Sequence, residues 1–157
     1  MWACLAGTVL TGCNHQATGS SPAATEAGPA KPTASADDTT WGNYLAAQSK
    51  IHAKDIGMRP YIYVIPGGDS AAANTRRQEE TDSIRQAIGP ILIPGALLVL
   101  GGPNGQQTSA FVAHLAKPLK ADALKDRVVL IVGDASQESA IQSALKPTGA
   151  TVRFVAM

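Results

Sequence analysis

Arg127-Val128-Val129-Leu130-Ile131-Val132-Gly133-Asp134 is a run of large aliphatic side chains that ends at a glycine and a carboxylate. No polar residue alternates within it. A strand of this kind has to be covered on both faces, as in a parallel sheet lying between helices. The pattern occurs three more times. Tyr61-Ile62-Tyr63-Val64-Ile65 stops at Pro66-Gly67-Gly68, and Ala96-Leu97-Leu98-Val99-Leu100 stops at Gly101-Gly102-Pro103. Thr151-Val152-Arg153-Phe154-Val155 is the fourth. Gly67 and Gly101 lie 34 residues apart and Gly101 and Gly133 lie 32 apart, about the size of one βαβ unit.

The intervals carry helical spacing. Thr75 to Ile88 presents Ile84, Ala87 and Ile88 before a Gly89-Pro90 stop. Gln107 to Lys117 presents Phe111, Val112, Leu115 and Ala116, with Thr108 or Ser109 near its start. Ser136 to Lys146 presents Ile141, Ala144 and Leu145, with Asp134 placed as N-cap and Gln137 three residues on. A helix from Trp41 to Ile56, ended by Gly57, precedes the first strand. Ile91-Leu92-Ile93, between Pro90 and Pro94, reads as a buried connection rather than an edge strand. Strands and helices in strict alternation predict an α/β fold: a small three-layer sandwich on a mostly parallel four-stranded sheet with right-handed crossovers.

Residues 41–157 form one domain by this reading, long enough for a real core. With aromatic residues at only 4%, that core is aliphatic and alanine-rich. The domain holds twelve Lys and Arg against nine Asp and Glu, a balance of +3. This lacks the basic patch that nucleic-acid binding requires. No stretch approaches the roughly 20 apolar residues of a spanning helix.

Before this domain the composition changes. Asn14 to Thr40 is Ala, Thr, Ser, Gly and Pro with almost no large apolar side chain, which reads as a disordered tether. Its 27 residues would span roughly 30 Å as a flexible coil. Ahead of the tether, the apolar residues Trp2, Ala3, Leu5, Ala6, Val9 and Leu10 lead into Thr11-Gly12-Cys13. Leu10-Thr11-Gly12-Cys13 resembles the lipobox of bacterial lipoproteins, although residues 1–13 carry no basic side chain. The resemblance implies a signal peptide over 1–12, cleavage before Cys13, acylation (including palmitate) at that thiol, and a membrane-anchored envelope protein. Asn14 after the cysteine implies the outer membrane, facing the periplasm, by the enterobacterial sorting rule. Cys4 would leave with the leader, so no cysteine remains in the domain. With His52 and His114 as its only histidines, a Cys/His zinc site is excluded.

Ligands of open parallel sheets bind beyond the carboxyl ends of the strands. Asp69, Ser70, Asn104 and Asp134 stand at those ends and are the candidate ligand-binding residues, in turns that also need Gly and a capping side chain for their own sake. Gly68-Asp69-Ser70 resembles the opening block of SGNH esterases, in which the serine is the nucleophile. Gly102-Pro103-Asn104 is similar to that family's Gly-x-Asn-Asp block, with Gly105 in place of the aspartate. The late histidine that would serve as base has no counterpart after His114. A serine without a base is a poor nucleophile. Neither a P-loop nor a dinucleotide fingerprint is present, so no cofactor is implied. Arg76 and Glu80 have the spacing of an i,i+4 pair on a solvated helix face. The sequence thus points to a lipid-anchored binding domain, for an envelope protein partner or a small ligand, without a complete catalytic set.

Overall fold

The computed structural model describes residues 28–157; Leu10 to Cys13 and the part of the expected tether up to residue 27 lie outside the described residues. Four strands alternate with helices: α1 (Asp38–His52), β1 (Tyr61–Val64), α2 (Ala71–Ala87), β2 (Leu97–Gly101), α3 (Gly105–Ala116), β3 (Val128–Gly133), α4 (Glu138–Leu145) and β4 (Thr151–Ala156). The sheet is parallel throughout, in the order β1-β2-β3-β4. This is the α/β sandwich with βα repeats that the apolar runs predict.

Alternation along the central strands assigns the two faces. Leu98, Leu100, Val129 and Ile131 meet Ile84 of α2, Phe111, Val112 and Leu115 of α3, and Ile141 and Leu145 of α4. Leu97, Val99, Val128, Leu130 and Val132 point the other way, onto Trp41, Tyr44 and Leu45 of α1. Three helices therefore cover one face and a single helix covers the other. One suffices because the sheet is narrow: four strands at ~4.8 Å spacing are ~14 Å across, whereas a 15-residue helix is ~22 Å long. α1 touches all four strands. Each fully buried Leu or Ile contributes about 1.5–3 kcal/mol relative to exposure. Leu45, Leu130, Ile131 and Leu145 are all at 0% accessibility.

Several local details differ from the sequence reading. α1 starts at Asp38 and stops at His52, short of Gly57. Its N-cap is Asp37, whose Oδ1 accepts the Thr40 N–H at 2.7 Å; that backbone bond holds the Asp37 carboxyl below its ordinary range. Asp38 in the first turn and Lys50 and His52 in the last complement the helix dipole. α2 begins four residues earlier than Thr75 because Ser70 caps it. α3 begins at Gly105, capped by Asn104 rather than by Thr108 or Ser109. Asp134 precedes a 3₁₀ turn, Ala135–Gln137, and its carboxylate makes no capping bond. The Gln137 N–H goes instead to the Asp134 carbonyl at 2.9 Å. Of Ile91-Leu92-Ile93 only Leu92 is buried, at 1%, while Ile91 and Ile93 are 52% and 44% exposed.

Candidate functional site

A sheet whose strand order never reverses has no switch point at which adjacent crossovers part. Here the opening arises at β1 instead, because α1 lies on one face and α2 on the other. Their N-termini both lie at the carboxyl edge of the sheet. Between them is a groove of about 610 Å³, bounded by Ala34, Ala36, Asp38 and Trp41 on one side. Pro66-Gly67-Gly68, Ala72, Ala73, Arg76, Pro103 and Asn104 form the other side.

Close backbone approach shapes the floor. A methyl group built on Gly102 would overlap the Ile65 carbonyl oxygen, and one on Gly67 would fall 2.9 Å from Pro103 Cγ. Gly68 has φ +84°, a conformation that favours glycine. Trp41 is 1% exposed overall; its indole N–H donates to the Thr33 carbonyl at 3.2 Å, which draws residues 33–37 over the groove's side. Tyr44 meets the Trp41 ring edge-on at 5.7 Å between centroids.

Arg76 crosses the rim. Its guanidinium lies 2.5 Å from the Asp38 carboxylate, so α1 and α2 are tied by charge over the groove. The expected Arg76–Glu80 pair is replaced by this contact. Glu80 stands near both charges, and partial burial pushes its carboxyl above the ordinary range despite attraction from Arg76.

The four sequence-predicted residues separate. Asn104 lines the groove, while its Oδ1 accepts the Gln107 N–H at 3.0 Å as the α3 cap. Ser70 sits at the α2 cap, its Oγ accepting the Ala73 N–H at 3.1 Å, and no described histidine is hydrogen-bonded to it. Asp69 faces a second, smaller cleft of about 400 Å³ between α2 and α3, along with Asn74, Arg77, Gln78, Gln107 and His114. There Gln107 Nε2 donates to Asp69 Oδ1 and to the Gly68 carbonyl, both at 2.8 Å. Arg77 donates to the carbonyls of Pro66 (2.7 Å) and Gly68 (2.9 Å), pinning the same turn. Asp134 borders neither opening; its carboxylate lies against the first residue of α3, where a side chain on Gly105 would collide with it. His114 is exposed, with Nε2 3.2 Å from Gln78 Oε1.

Sequence reading missed Asp38, Trp41 and Gln107 as site residues and placed Arg76 only as the i,i+4 partner of Glu80. For Trp41 the signal was its place at the start of an apolar stripe. For the others there was none, since their partners are 38 residues away in both the Asp38–Arg76 and the Asp69–Gln107 contacts. Among the described residues, no three His, Cys, Asp or Glu side chains are gathered as a metal site. No described helix is long and apolar enough to cross a membrane. Comparison of the chain with models of protein families, with curated proteins and with solved structures finds no match.

Proposed function

We propose that this chain is a lipid-anchored protein of the bacterial envelope, held through Cys13 at the outer membrane, whose α/β domain binds a small polar ligand in the groove above β1 and β2. One observation carries the binding reading: a concave opening at the carboxyl edge of a parallel sheet combines a buried indole, a glycine-lined floor and the Arg76–Asp38 pair. Such a combination of apolar wall and few polar groups suits a small molecule. The exposed large apolar side chains Ile51, Ile91 and Ile93 lie on α1 and the α2–β2 connection, away from the groove lining. They form no contiguous helix face for a protein partner. The anchoring half of the reading rests on Leu10-Thr11-Gly12-Cys13.

A thermal-shift screen of small polar metabolites against the full chain tests the binding. A hit should also change Trp41 emission, and Arg76→Ala should abolish both signals. A hit that Arg76→Ala leaves intact, or a screen without hits, counts against it. Metabolic labelling with palmitate in the host tests the anchor: label should enter the chain and be lost in Cys13→Ser.

A further inference from the structure

We infer that β4 is a pairing edge, through which the chain associates with a second copy of itself, strand against strand and antiparallel about a two-fold axis. The two edges of the sheet are unlike. β1 has four residues and lies between Pro60 and Pro66, a short edge of the kind that resists pairing. β4 has six residues, no proline, and an unbroken register with β3 from Thr151 to Ala156. Its one charged side chain, Arg153, is held by the Asp55 carboxylate and the His52 carbonyl, so it does not guard the edge.

The backbone is ready for a further strand. Thr151 N–H bonds to the Arg127 carbonyl at 2.9 Å and Met157 N–H to the Gly133 carbonyl at 3.2 Å. In a parallel ladder this alternation turns the N–H and C=O of Val152, Phe154 and Ala156 away from β3. No described strand lies on that side.

Symmetry and charge select a second copy as the occupant. Centring the pairing on Phe154 sets Val152 against the second copy's Ala156 and closes about six backbone bonds. On the opposite face Arg153 then meets the second copy's Val155, so like charges do not oppose. Beside the edge, Ser139, Gln142, Ser143, Lys146 and Val152 line a groove of about 500 Å³ along α4. The two-fold places the α4 helices side by side and head to tail. The Lys146 end of one then faces the Glu138 end of the other, where Glu138 hydrogen-bonds Gln142 at 2.9 Å. Opposite charges meet and small serines let the helices approach.

Light scattering with detergent correction on the full chain, combined with hydrogen exchange, decides the matter. The expected result is a concentration-dependent dimer in which the amides of Val152, Phe154 and Ala156 are protected and lose protection on dilution. Ala156→Pro removes only an outward-facing N–H and should weaken the dimer about tenfold or more, with circular dichroism unchanged. If that variant fails to fold, Ala156→Lys at the same exposed position should weaken the dimer by adding a charge beside the second copy's Lys146. A monomer at all concentrations overturns the inference. So does a dimer that the folded variants leave intact, or protection of these amides in a monomer, which would place another segment such as residues 1–27 on the edge.

Discussion

Arg153 of β4 grips Asp55, 98 residues earlier, through two parallel bonds, Nη1 to Oδ1 and Nη2 to Oδ2, each 2.6 Å. The fork ties the end of the sheet to the segment that leaves α1, and it holds the Asp55 carboxyl down at about 2 from an ordinary 3.8. A group depressed in the folded state stabilises above its unfolded value and loses that contribution as acid protonates it. Thermal stability should therefore fall between about pH 4 and pH 2, and Asp55→Asn should flatten that part of the profile. Asp55 is 62% exposed, so high salt should shrink the effect at neutral pH. Identical acid limbs for the two proteins in melting experiments would count against this role.

Gly102 should be intolerant of any side chain. A Cβ there meets the Ile65 carbonyl, which is backbone that cannot rotate away. Gly102→Ala is expected to destabilise by about 3 kcal/mol or more in urea unfolding. Gly57→Ala, with open space around its Cα, serves as the contrast and should change little.

Asn104 and Ser70 each satisfy one N–H at the start of a long helix. Asn104→Ala and Ser70→Ala should each cost about 1 kcal/mol, and Asn104→Asp should retain most of the stability because it remains a good cap. Equal losses for the Ala and Asp variants at position 104 would assign that side chain another role.

Leu130 lies at the centre of the sheet on the α1 face with no exposed surface. Leu130→Ala should lower the unfolding free energy by about 2–5 kcal/mol through lost transfer energy and a cavity. Ile91→Ala, at a side chain 52% exposed, should stay within about 0.5 kcal/mol.

The strands were legible because β2 and β3 need cover on both faces, and Leu97–Gly101 and Val128–Gly133 are buried at every position. The helix stripes Phe111-Val112-Leu115 and Ile141-Leu145 were legible for the same reason: both line the three-helix face. Strand order was only partly legible: the prolines flanking Tyr61–Val64 and the Thr151 and Arg153 side chains of Thr151–Ala156 suit edge strands, but which strand lies beside which is set only by the packing in three dimensions. Helix starts were read late because the caps Asp37, Ser70 and Asn104 precede the apolar stripes by a turn or more. The candidate loops could be named from glycine and polar residues alone. How they divide could not. Asp69 is drawn toward Gln107 and Asp134 toward Gly105, and both contacts depend on how α3 packs beside its neighbours.

The strand order has a consequence for how the polypeptide acquires its shape. Each new strand adds beside the one made just before it, so the ladders need closures of only a few tens of residues, and none waits for a distant segment. Only the α1 layer, through Asp55 and Arg153, bridges first to last. A chain emerging amino end first can thus lay down this sheet unit by unit, and β4 both closes the described ladder and clasps the segment that leaves α1.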